Sequence, residues 1–71
     1  MNKSYVLLCL YEKLQSGKGI QIETCCKEFG ISVPTFRRYI SILRDFFWEK
    51  HNSEIKYDIK QKEYRVEYRK D

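Results

Sequence analysis

A chain of 71 residues is one small domain that buries only about 60% of its unfolded surface, which leaves little room for a deep catalytic cavity. The hydrophobic share of 42% and aromatic share of 15% argue against a disordered tail. A net charge of +4 and a pI near 9.0 lean towards a polyanionic partner, although lysine-rich small proteins are also basic for solubility alone.

The periodicity predicts a first helix from about Ser4 to Gln15, with Val6, Leu7, Leu10, Tyr11 and Leu14 as one apolar stripe. Its apolar run, Tyr5 to Tyr11, is too short for a membrane span and lacks a small-residue cleavage site. Ser16-Gly17-Lys18-Gly19 ends this helix, and Ile20-Gln21-Ile22 is a minimal strand that needs a partner later in the chain. A second helix is expected over Glu23–Phe29, closed by Gly30. Ser32 can cap a third helix, where Pro34 falls in the first turn at no cost in hydrogen bonds. That helix should run to about Trp48, with Phe36, Ile40, Leu43 and Phe47 inward and Thr35, Arg37, Arg38, Ser41 and Arg44 outward. After His51-Asn52-Ser53 the period changes to two. Ile55, Tyr57 and Ile59 alternate with Lys56, Asp58 and Lys60; past a turn at Gln61-Lys62-Glu63, Tyr64, Val66 and Tyr68 alternate with Arg65, Glu67 and Arg69. These are two antiparallel strands over about 54–69, and Ile20-Gln21-Ile22 could be the third that a marginal hairpin requires.

The expected fold is therefore α+β: a single winged helix-turn-helix domain over 1–71, with three helices, a hairpin wing, and a short third strand between helices one and two. Between Glu23 and Arg44 the layout is that of a helix-turn-helix, whose second helix lies in the DNA major groove. Charge placement agrees with it. From Ser32 through Arg44 there are three arginines and no acid, although the whole chain carries ten acids.

GKGIQIETCCKEFGISVPTFRRYISILRDFF, followed by EIKYDIKQKEYRV, resembles the winged helix-turn-helix domain of the DeoR type, which also stands at the N-terminus of bacterial WYL-domain transcriptional regulators. The most specific piece is Gly30 to Arg38, which looks like the family's turn and recognition-helix start. Tyr57-Asp58 and Tyr64 match the wing more loosely. There are two departures: Tyr39 stands where the family usually carries an acid, and Ile42 where it favours a polar residue. The resemblance implies sequence-specific binding of double-stranded DNA by a small transcriptional regulator, with a recognition helix over about 33–48.

On that reading Arg37 and Arg38, about 100° apart on the helix, are leading candidates for a guanine edge and a phosphate. Thr35 and Ser41 are candidates for phosphate or base, Val33 for a thymine methyl, and Arg44 for the backbone or an ion pair with Asp45 or Glu49. The wing turn Lys60-Gln61-Lys62, projecting beside the recognition helix, suits adjacent phosphates or the minor groove. Phe46-Phe47-Trp48 cannot all face one core. With Ile42, either Phe46 and Trp48 form a homodimer surface, or Trp48 packs beneath the hairpin tyrosines.

No catalytic or cofactor site is expected. Cys9, Cys25 and Cys26 lack disulfide or zinc-finger spacing and read as small hydrophobes in a reduced, cytoplasmic protein. His51, the single histidine, has no nucleophile or orienting acid and reads as a helix-end residue. The rival reading is a winged-helix protein-interaction module, an adaptor or antirepressor, that uses the aromatic cluster and never touches DNA.

Overall fold

The first helix, α1 (Lys3–Gln15), is capped by Asn2, whose Oδ1 accepts from the Ser4 amide at 2.7 Å. It ends at Ser16 and Gly17, and Gly17 takes the left-handed conformation (φ 86°) that the turn requires. The chain continues as α2 (Ile22–Phe29), α3 (Val33–His51), β1 (Ser53–Asp58) and β2 (Glu63–Tyr68). This computed structural model describes residues 2–69 and has an α+β architecture of three helices followed by a two-stranded antiparallel hairpin.

The helical stripes meet as the periodicity requires. Val6, Leu10 and Leu14 of α1 close on Cys25 and Phe29 of α2 and on Phe36, Ile40, Leu43 and Phe47 of α3. Fully burying side chains of this size contributes about 1.5–3 kcal/mol each. Tyr39 joins the same core. One position beyond the arginine pair, the helix has turned its next side chain inward. An acid there would lose its water, which explains the tyrosine.

Three boundaries differ from the sequence reading. Ile22 opens α2, so the expected strand at Ile20-Gln21-Ile22 contracts to one bridge, in which Ile20 and Tyr64 exchange backbone hydrogen bonds of 3.0 and 2.8 Å. The third helix runs past Trp48 to His51, where Asn52 in the left-handed region (φ 50°) ends it. Strand β1 stops at Asp58. Its Oδ1 accepts from the amides of Lys60 and Gln61 (2.9 and 3.2 Å), so the turn is Ile59–Lys62 and begins earlier than the alternation suggested.

The hairpin sits on the helices by one face only. Ser53↔Tyr68, Ile55↔Val66 and Tyr57↔Tyr64 share that face, but only Ser53 and Ile55 are buried. Tyr64 reaches the start of α3, 5.8 Å from the Phe36 ring, and Tyr57 stands edge-on to it at 5.0 Å. Ile59, expected on the inward face, lies in the turn and is 80% exposed.

Candidate functional site

The connection between α2 and α3 is built from local chemistry. Gly30 adopts φ 63°, ψ 39°, a left-handed conformation that costs a side-chain-bearing residue about 1 kcal/mol or more. The Ile31 amide then donates back to the Cys26 carbonyl at 3.0 Å. Ser32 caps α3: its Oγ accepts from the Thr35 amide at 3.3 Å and donates to Thr35 Oγ1 at 2.9 Å. The Thr35 hydroxyl is therefore engaged in the cap, and its side chain is half-buried.

With Phe36, Ile40, Leu43 and Phe47 held inward, Arg37, Arg38, Ser41 and Arg44 face solvent, and Val33 is exposed at the helix start. Among the described residues the only side-chain ion pairs are Lys13–Glu28, Lys56–Glu54 and Arg65–Glu63. The three arginines of α3 are thus unneutralised, and Arg44 pairs with neither Asp45 nor Glu49. Three cations along one helix repel each other weakly in water, and an incoming polyanion relieves that repulsion.

At 100° per residue, Arg37, Ser41, Arg44 and Trp48 recur along one flank of α3. That flank faces the hairpin, because Arg44 and Trp48 line a cleft with Glu54, Ile55 and Lys56. Ile42 and Phe46 lie on the other flank. There they form, with Leu7, Leu8, Tyr11 and Leu43, an apolar groove of about 350 Å³ between α1 and α3. The structure therefore groups Ile42 with Phe46 and separates both from Trp48.

Trp48 is covered by a residue that no periodicity indicated. The Arg69 guanidinium lies 3.7 Å from the centre of its ring, while Arg69 Nη2 donates to Asn52 Oδ1 and the Arg69 amide to the Asn52 carbonyl (3.0 Å). The contact joins residues far apart in sequence, so only a search for a cation opposite the tryptophan could have found it.

Lys60, Gln61 and Lys62 are all exposed at the hairpin turn. Gln21, the residue before α2, donates from Nε2 to the Gln61 carbonyl at 3.3 Å. The turn is therefore tethered beside the start of α2, where Lys62 shares a small cleft with Gln21, Ile22, Glu23 and Tyr57.

The remaining polar candidates are occupied structurally. His51 Nε2 lies 3.3 Å from the Tyr11 hydroxyl, and its ring packs near Phe46 and Phe47. Cys9, Cys25 and Cys26 are free thiols, and burial pushes the Cys25 thiol above its ordinary pKa, away from the reactive thiolate. Among the described residues no helix is long and apolar enough to cross a membrane.

No family model, curated protein or solved structure matches the chain.

Proposed function

We propose that the chain is a winged helix-turn-helix module of the DeoR type that binds double-stranded DNA sequence-specifically in transcription regulation. The observation that carries this reading is the solvent face of α3. Arg37, Arg38 and Arg44 stand there without ion-pair partners, on a stretch free of acids, whereas Lys13 on α1 and Lys56 and Arg65 on the hairpin are each paired with a glutamate. On this reading α3 enters the major groove with Arg37 and Arg38 leading, and Val33, Ser41 and Arg44 lie along the same docked surface, while Thr35 stays in the Ser32 cap. The hairpin turn contacts the adjacent backbone or minor groove. Affinity comes mainly from phosphate neutralisation and specificity from the few base-edge contacts. The protein works in a reducing cytoplasm and catalyses no reaction.

A second reading has its own observation. The groove between α1 and α3 exposes Leu8 (65%), Ile42 (48%) and Phe46 (41%), a surface able to receive a partner protein or a second copy. A homodimer on a two-fold site uses this groove in addition to the DNA surface. An adaptor uses it instead of the DNA surface.

Fluorescence-anisotropy titration of mixed-sequence duplex at about 50 and 200 mM salt separates the two readings. The DNA reading expects binding that weakens roughly 10²–10³-fold across that range, as about five phosphate contacts require. Changing Arg37 or Arg38 to alanine should cost about 1–3 kcal/mol if that residue reads a base. Unchanged affinity in the Arg37→Ala/Arg38→Ala variant removes the recognition-helix assignment. Absence of binding by the folded wild type moves the search to proteins that bind the Leu8–Ile42–Phe46 groove.

A further inference from the structure

Among the described residues, Ile59 is the most exposed large apolar side chain, and it stands at the outermost turn of the hairpin. An isolated surface isoleucine is ordinary, but this one occupies a position where local structure has no use for it. The turn is shaped by the Asp58 carboxylate, which accepts two turn amides, and by Lys62 in the left-handed region at φ 57°. Such turns favour Gly, Asn, Asp, Ser or Pro, and a β-branched apolar residue adds nothing to them.

The surroundings indicate what it meets. Lys60 follows it directly and Lys62 closes the turn, both exposed and neither in an ion pair. The acids nearby in sequence are already committed: Asp58 to the turn amides, and Glu63 to Arg65. Glu23 shares a cleft with Lys62 and leaves Lys60 unopposed. The turn is also held in place, by Gln21 through the Gln61 carbonyl and by the paired hydrogen bonds between Ile20 and Tyr64. A tethered tip with one protruding apolar side chain beside two cations, its one adjoining acid turned to the turn amides, complements a groove with an apolar floor and anionic walls.

We propose that this tip is a minor-groove wedge: Ile59 inserts between base pairs while Lys60 and Lys62 neutralise the flanking phosphates, bending the duplex. The inference rests on the DNA-binding reading above and adds to it a bending activity, a residue responsible for it, and a sequence preference. The minor groove, about 6 Å wide, admits a single aliphatic side chain. Unstacking is easiest at pyrimidine–purine steps, so a TA or CA step under the tip should be favoured. Binding to deformable steps is thereby selected without a hydrogen bond to any base.

The test measures bending and affinity together, by energy transfer between the ends of a short labelled duplex that carries a TA step and binds the wild type. The wild type should bend it by at least about 20°. Ile59→Ala should abolish most of the bend and weaken binding about tenfold, with an unchanged melting temperature and an unchanged salt slope, since no charge is lost. Ile59→Leu should retain the bend. Lys60→Ala and Lys62→Ala should each lower the salt slope by about one. Wild-type binding to an unbent duplex, or an equal bend with Ile59→Ala, overturns the wedge and leaves the DNA reading standing. No wild-type binding to any duplex overturns both. Binding to anionic phospholipid vesicles but not to duplex, lost in Ile59→Ala, assigns the tip to a lipid surface and likewise overturns the proposal.

Discussion

Helix α3 and the hairpin are both amphipathic in sequence, yet they spend that amphipathicity differently. Five residues of α3 are buried in the core, whereas the hairpin buries Ser53 and Ile55 near its base and exposes Tyr57, Ile59 and Tyr68. The helix is therefore a structural element with a cationic solvent face. The hairpin is a surface element, buried at its base and held at its outer end by the Ile20–Tyr64 bridge and the Gln21–Gln61 hydrogen bond, with Tyr64 its outer contact to the core. Changes in the two regions should accordingly separate stability from binding.

The sharpest way to break this comparison is at Phe36, which is fully buried and packs near Tyr64. Phe36→Ala should cost about 3–5 kcal/mol, enough to leave a domain of this size largely unfolded, and urea titration followed by circular dichroism would measure it. A comparable loss from Ile59→Ala would show that the hairpin tip is structural after all. A smaller effect is expected at the junction of the two regions. Asn52→Ala loses the acceptor for Arg69 and places alanine in the left-handed region, which should lower stability by about 1–2 kcal/mol in the same titration. Asn52→Gly, which restores the backbone freedom but not the acceptor, should recover part of that loss.

The smallest effect lies away from both regions. Lys13 donates to Glu28 at 3.0 Å, and this hydrogen bond is the main cause that raises its pKa above the ordinary lysine value of 10.5. A raised folded-state pKa contributes stability that is fully present below that value and is lost as pH rises through the folded one. Both side chains are partly exposed, 35% and 47%, so solvent screening should keep the loss under about 1 kcal/mol. Glu28→Gln should flatten the alkaline limb of a stability–pH profile, and an unchanged limb would remove Lys13 as its source.

What could be read from the sequence follows from the range of the interactions. The inward stripe of α3, the Ser32 cap and the left-handed Gly30 depend on neighbours a few residues away, and periodicity and residue chemistry reveal them. At Ile59 the alternation Ile55–Tyr57–Ile59 continues formally, whereas the Asp58 carboxylate ends the strand one residue sooner. Tyr39 looked like a departure from a family pattern until its inward direction made it a core residue. The Trp48–Arg69 and Gln21–Gln61 contacts were invisible, since each depends on where the finished hairpin lies. Of the candidate interface, the solvent exposure of the arginines followed from the stripe beneath them. The tethering of the turn beside α2 did not.

Only Asn52 separates the last turn of α3 from the first residue of β1. No flexible joint lies between the helix and the hairpin, so neither can be repositioned without the other, and docking one leaves no linker entropy to be lost in docking the second. Mechanically the two are a rigid caliper whose gap is set when the chain folds. A duplex gripped at both points would have to match that gap, and inserting a single base pair between them should be felt as a misfit along the whole site.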